Sequence, residues 1–511
     1  MKINQLKIGV ALSYLSQAVS ILTGILYTPI MLRLLGQSEY GLYQLVYSVI
    51  SYLSLLSMGF TSGYVRFYSR YKVQGDKKMV ARLNGLYLTV FFVITMACLF
   101  CGTVMLFNAK AVFGDGLTPA ELDIAKKLML LMVINLALNL IRSVFGSNIV
   151  ANEKFVFERG LNFIHLFLNP FVTLPVLLMG FGSVGMVAVT TGFTVFILVC
   201  SVWYCFKVLK MRFAFDKFDV SLFKEIFVFT FFIFINIIVN RINWSIDKFL
   251  LGRLIGTVAV AIYGVASQIN ILYINFSTAI SGMFIPRINR LVVENSDNKN
   301  ISELFIRVGR LQFLVLALIV SGFALFGREF IHVWAGPEYA DSYYVGLLLM
   351  IPGIIPLIQN LGVEIQKAKN MHKVCAFANL AIAIGNIFLS IPLIKRYSYI
   401  GAATGTAITL LLGNAFINWY YYKKIGLDIP KFWKEILKFS PALLISVVAA
   451  LGVVRIIPPG ESFLSLVLNI IIYTGIYSAV FWSVGMNGYE RNLVKGPLKK
   501  ILSKIKKGEN K

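Results

Sequence analysis

Apolar runs of about 20 residues recur along this chain, each long enough to cross roughly 30 Å of hydrocarbon. They predict fourteen helical spans, at about 8–32, 41–65, 85–107, 128–149, 161–180, 185–206, 226–251, 258–283, 311–330, 344–365, 374–394, 400–422, 439–457 and 463–485. The runs do not alternate apolar with polar positions, so they read as helices and not as barrel strands. No small-residue cleavage site closes the first run, which reads as a retained span. The loops are short, the longest lying at 66–84, 108–127, 207–225, 284–310, 423–438 and 486–511. None is large enough for a core of its own. The expected fold class is therefore an all-α integral membrane protein of about 14 transmembrane helices.

Polar positions inside the spans fall on stripes. In span seven, Asn236, Asn240, Asn243 and Asp247 stand at i, i+4, i+7 and i+11, within about 60° of one another around a helix. Arg241, Trp244 and Lys248 flank that stripe. Span four repeats the spacing with Asn135, Asn139, Arg142 and Gly146, and span one with Ser13, Gln17, Ser20 and Gly24. Span ten offers Asn360, Glu364 and Lys367. Single amides pair across membrane helices without lining anything. Four stripes, two of them charged, point further, because a charge at mid-bilayer costs roughly 2.5–3.5 kcal/mol on insertion scales. The expectation is a water-filled cavity with a positive wall, formed by Arg142, Arg241, Lys248, Asp247, Gln17 and the five asparagines of spans four and seven. Its ligand is expected to be anionic. Asp247 and Lys248 also lie near enough to the span end to snorkel. Asp247, Glu364 and His165 (the one histidine within a span) are the candidates for ion coupling, with a local Glu364–Lys367 bridge and a neighbour hydrogen bond to His165 as the plainer readings.

An internal repeat organises the spans. Arg33-Leu34-Leu35-Gly36 is followed seven residues after its glycine by Tyr43, and Arg253-Leu254-Ile255-Gly256 by Tyr263. In the same register Arg70 falls on Arg290. The repeat maps spans one and two onto seven and eight, giving two parallel six-helix lobes plus two accessory helices. The boundaries drawn are 1–210 for spans one to six, 211–425 for spans seven to twelve, and 426–511 for spans thirteen and fourteen with a basic tail. Arg33 and Arg253 then stand at outer turns, as interfacial anchors.

Composition sharpens the picture. The chain is 58% hydrophobic and 14% charged over 511 residues, which a soluble protein could not bear without large exposed patches. With the N-terminus inside, 36 of the 48 Lys and Arg fall in inside segments and nine outside. That bias predicts cytoplasmic N- and C-termini. The net charge of +25 thus reports topology and not a nucleic-acid partner. Segments 431–439 and 494–507 read as basic amphipathic helices lying along the inner leaflet. The cysteines Cys98, Cys101, Cys200, Cys205 and Cys375 lie in or at the ends of spans and read as small buried hydrophobes, with no disulfide framework. No nucleotide-binding loop, zinc-protease motif or nucleophile elbow is present. The reading is a secondary transporter, not an enzyme, without a cofactor or metal.

Four junctions resemble a known family. Leu35-Gly36-Gln37-Ser38-Glu39-Tyr40-Gly41-Leu42-Tyr43 resembles the outer turn between the first two spans of polysaccharide (O-antigen or capsule type) repeat-unit flippases. These share a superfamily with the lipid II flippases and the multidrug and toxin extruders. Asp247 to Gly252 resembles the end of that family's seventh span, Phe284-Ile285-Pro286 its exit from span eight, and Trp334 to Tyr339 its turn after span nine. The resemblance spans residues 8 to 485. It implies two six-helix lobes plus two helices, in the inner membrane of a bacterial cell envelope. It also implies movement of a polyprenyl-pyrophosphate-linked oligosaccharide from the inner to the outer leaflet by alternating access. The implied partners are that anionic lipid-linked glycan, membrane lipids, H⁺ or Na⁺, and polysaccharide assembly proteins. Lipid II flipping fits the same repeat and cavity. A cation-coupled multidrug exporter would be expected to carry acidic residues in the early spans, whose cores here contain none.

Overall fold

The computed structural model of the protein describes residues 5–215, 219–294, 297–369, 371–456, 463–493 and 495. The described residues form helices and connecting turns, with no strand. In chain order the helices are α1 (Gln5–Leu53), α2 (Phe60–Val73), α3 (Lys77–Phe107), α4 (Ala109–Phe113), α5 (Pro119–Ala151) and α6 (Phe155–Leu178). Then come α7 (Gly182–Lys207), α8 (Val220–Leu254), α9 (Thr257–Gly282), α10 (Ile285–Val293), α11 (Asn298–Trp334) and α12 (Ser342–Ile358). The last are α13 (Asn360–Ala368), α14 (His372–Tyr420), α15 (Ile429–Leu437), α16 (Ser440–Ile456) and α17 (Phe463–Val480). Among the described residues, 11 helical stretches are long and apolar enough to cross a membrane. Two of them are broken inside, at Gly36 in α1 and at Ser398 in α14. The all-α membrane class holds.

The repeat has a backbone cause. Gly36 has φ +73° and ψ +169°, and Gly256 has φ +128°. Only glycine adopts such angles freely, so each copy turns the chain at its glycine. Nothing lies within 4 Å of a Cβ built on Gly36, so its requirement is conformational. Gly41 is a glycine for another reason. A Cβ there would run into the Thr257 carbonyl oxygen, at the start of α9.

Few carboxylates exist in this chain, and many are committed to helix ends. Thr118 and Glu121 form a reciprocal capping box at the start of α5. The side chains of Asp76, Asp219, Asp297 and Asp428 accept backbone N–H bonds at the starts of α3, α8, α11 and α15. Such caps contribute about 1 kcal/mol each. Glu121 does more. Its Oε1 accepts from Ser38 Oγ and Thr257 Oγ1, both at 2.7 Å. Glu39 accepts from the N–H and the hydroxyl of Ser183, at 2.6 and 2.7 Å, tying α1 to α7.

The chain divides into two compact units, residues 1–264 with 383–402, and residues 265–382 with 403–511. In the first unit, Phe60, Tyr64, Phe67, Tyr87 and Phe91 form an aromatic core with Val144 and Ile149 of α5. Within that core the Tyr64 hydroxyl is satisfied twice, donating to Asn84 at 2.6 Å and accepting from Asn148 at 2.7 Å. Cys98 and Cys205 pack into the same core as apolar groups.

The second unit is organised by Arg310, 3% exposed in α11. Its guanidinium donates to Glu490 at 2.6 and 3.0 Å, to the Glu435 backbone and carboxylate, and to the Gly485 carbonyl. It also lies 4.1 Å over the Phe439 ring. Sequence placed this arginine at the end of an inside loop. In the structure α11 begins at Asn298, which draws Arg310 into the helix. The amphipathic face of α15 is likewise covered by protein: Ile429, Phe432 and Ile436 are buried, with the Phe432 ring tilted against that of Phe305 at 4.8 Å. Helix α17 packs on α11 through Tyr473 and Tyr477, whose hydroxyl donates to the Leu314 carbonyl at 2.9 Å. The amphipathic stretch at 498–507 lies outside the described residues.

Candidate substrate cavity

A cavity of roughly 260 Å³ opens within the first unit. Its wall takes one stripe from each of several helices. From α5 come Asn135 and Asn139, one turn apart, as their spacing predicts. From α1 come Tyr43, Tyr47 and Ser51, and from the 3-10 turn that follows it Ser54, spaced one turn at a time. Helix α7 contributes Met186 and Thr190, and α8 contributes Arg241. The Tyr43 and Tyr47 rings stack at 6.3 Å.

Local bonds hold this wall in place. Asn135 donates to Thr194 Oγ1 at 2.9 Å, across to α7. Asn139 donates to the backbone oxygen of Asn135 at 2.9 Å and to its side-chain oxygen at 3.0 Å. The Ser51 and Ser245 hydroxyls meet at 3.1 Å, joining α1 to α8 close to Arg241. Among the described residues no carboxylate lines the cavity. Among the described residues Arg241 has no ion pair and no hydrogen bond. Its charge acts on the nearby Tyr52 hydroxyl together with that of Asp247, and at short range in a low-dielectric surrounding such fields are strong.

The other sequence candidates are placed as follows. Arg142 does not line this cavity. It is held by Glu158 of α6 at 2.6 Å, with Asn162 at 3.4 Å. A Cβ on Gly146, one turn further along α5, would stand in ordinary contact with that carboxylate, 3.6 Å from Oε1. Lys248 donates to Gln44 at 3.0 Å, and Gln44 donates to the Tyr40 hydroxyl at 2.8 Å. Asp247, 3% exposed, accepts from Tyr263 at 2.7 Å and from Asn386 at 3.5 Å. His165 stands edge-on to Phe193 at 5.5 Å. Glu364 pairs with Lys367 at 2.8 Å, the local bridge its spacing suggested. Gln17 is exposed on α1. The side chains of Asn236, Asn240 and Asn243 lie outside the described residues.

Sequence reasoning missed Glu158 and the tyrosine–serine stripe of α1. Glu158 was assigned to a loop, because span five was started at Leu161, whereas α6 begins at Phe155. Tyr43 was absorbed into a turn motif. The i, i+4 spacing of Tyr43 and Tyr47 was its available signal.

The class defined so far is a multi-helix membrane fold with a polar cavity among its helices. The fold is shared with the lipid II flippase MurJ in its inward closed conformation, at a TM-score of 0.73 and 16% identity, over 93% of this chain and 98% of that one. It is shared also with an inward-facing multidrug resistance MATE family transporter of the MOP superfamily, at 0.65 and 13% identity, over 82% and 96%. The chain belongs to the polysaccharide biosynthesis protein family, whose model matches residues 6–292. The chain is 21% identical over 419 residues to the uncharacterized membrane protein EpsK of Bacillus subtilis (strain 168), covering 80% of this chain and 81% of that one. It is 24% identical over 238 residues to the teichuronic acid biosynthesis protein TuaB of the same organism, covering 46% and 48%. The fold is thus one that solved membrane transporters and flippases adopt.

Proposed function

We propose that this chain flips a polyprenyl-pyrophosphate-linked oligosaccharide from the inner to the outer leaflet of the bacterial cytoplasmic membrane by alternating access. Arg241 carries the reading: a cation without a counter-charge among the described residues, on a polar wall lacking carboxylates. A guanidinium suits a pyrophosphate through paired planar hydrogen bonds. The wall's amides and hydroxyls suit sugar, and the stacked Tyr43 and Tyr47 offer an amphipathic platform. At roughly 260 Å³ the cavity accepts the charged head of such a substrate before it accepts a whole repeat unit. Transport then requires it to widen, as rocking of the helices supplies.

Lipid II-type flipping and cation-coupled drug export are the other readings. Family membership and the TuaB likeness support a polysaccharide substrate over both. We assign both termini to the cytoplasm. Fourteen crossings follow if each broken stretch counts twice and α8 is added. The lobes remain those of the repeat, 1–210 and 211–425, with 426–511 accessory. H⁺ or Na⁺ coupling fits Asp247 better than Glu364, which already has Lys367, or His165, which lies against a phenyl ring. Assembly proteins that polymerise the glycan are the expected partners. Deleting the gene tests the reading: lipid-linked glycan should accumulate where an externally added glycosidase cannot reach it. Accumulation on the outer leaflet would contradict it.

A further inference from the structure

A second and larger cavity, of roughly 680 Å³, lies in the same unit where the α2–α3 turn meets the segment after α7. Lys72, Lys77, Lys78, Lys210 and Arg212 line it, against one carboxylate, Asp76. That carboxylate is already committed to the Met79 N–H at 2.9 Å. Nearby Glu225 is taken by Arg70 at 3.0 Å. Lys72 bonds Asn152 at 2.8 Å. Lys77, Lys78, Lys210 and Arg212 have no ion pair and no side-chain hydrogen bond among the described residues.

Topology alone would be served by lysines scattered over a flat face. Here the backbone brings them to one concavity and fixes it there. Lys210 sits at φ +50°, a region that non-glycine residues occupy only where their surroundings hold them. Those surroundings are specific. Met211 N–H donates to the Cys205 carbonyl at 2.9 Å, and Ala214 N–H to the Ala81 carbonyl at 3.0 Å. The buried Asn84 amide donates to the Arg212 carbonyl at 2.8 Å. Gly85 lets the Ala214 carbonyl press against α3 where a Cβ would block it. The start of the 31-residue helix α3 also faces the cavity, adding its positive dipole end.

We propose that this pocket binds a phosphate-bearing anion, independently of the substrate cavity at Arg241. The chemistry is shared by a soluble phosphate compound and by an anionic lipid headgroup. The test uses the purified full-length protein. Pyrophosphate is titrated calorimetrically in detergent, and retention of phosphatidylglycerol over phosphatidylcholine is measured by native mass spectrometry. The probe variant is Lys210→Gln with Arg212→Gln. The control is Lys423→Gln with Lys424→Gln, which removes equal charge elsewhere.

A tenfold or greater weakening of pyrophosphate binding in the probe variant but not the control supports the site and a soluble ligand. Selective loss of phosphatidylglycerol retention in the probe variant alone supports the site and a lipid headgroup. Lys210→Arg should retain binding in either case, which separates charge from misfolding. Arg241→Gln should leave this binding unchanged even if transport fails. Equal behaviour of probe and control in both measurements would overturn the proposal.

Discussion

Glu158→Gln should destabilise the protein through Arg142. The pair meets at 2.6 Å, with side chains 19% and 13% exposed. Removing one partner of a buried ion pair costs about 3–5 kcal/mol, because the other charge is left uncompensated. Arg142 Nε and Glu158 Oε2 are buried without hydrogen-bond partners, so the pair is incompletely satisfied. That places the expected loss at the lower end, about 3 kcal/mol, or roughly a hundredfold in the folded-to-unfolded ratio. Arg142→Met should cost a similar amount, and the double variant much less than the sum. Unfolding in mixed SDS micelles, followed by tryptophan fluorescence, gives the four free energies of this cycle. A coupling energy near zero would refute the ion pair as the reason Arg142 is tolerated in a span. It would return Arg142 to the list of substrate contacts.

Further outcomes follow from the same geometry. Arg310→Leu leaves the carboxylate of Glu490, 2% exposed, without its partner, so folded yield should fall by an amount matching about 3–5 kcal/mol, read by size-exclusion of the solubilised protein. Gly36→Ala meets no neighbouring atom but is strained by its φ, and should cost about 1–3 kcal/mol. Gly41→Ala, with its φ unconstrained, should cost about as much from overpacking against Thr257. The same unfolding titration checks both, and an unchanged midpoint would contradict the account of the repeat. Asp247→Asn should slow transport and remove its dependence on an ion gradient, whereas Glu364→Gln should leave both as they were. Flux measured with and without an imposed gradient separates these outcomes.

Much of the fold was legible because each span announces itself within its own 20 residues. The break at Gly36 was readable from its repeat, since a glycine in both copies marks a shared backbone need. The break at Ser398 carried no such mark, because serine is not a residue that positive φ favours. The asparagine stripe of α5 was readable from helical spacing alone, and two of its members do line the cavity. Counter-charges were not readable. Glu158 reaches Arg142 across a helix hairpin, and Glu435 and Glu490 reach Arg310 from 125 and 180 residues away. Those pairings are decided by packing between helices, on which spacing within one helix is silent. For the same reason sequence treated Arg142 and Arg241 alike. Only the structure separates a neutralised arginine from an open one.

That separation is the core of the functional account, and flipping in proteoliposomes tests it most directly. Wild-type protein should move a fluorescent polyprenyl-pyrophosphate-linked oligosaccharide between leaflets. Arg241→Gln should reduce the rate at least tenfold without loss of folded protein, and Arg241→Lys should restore part of it. Transport by Arg241→Gln at the wild-type rate would contradict the assignment of this cavity to the anionic substrate.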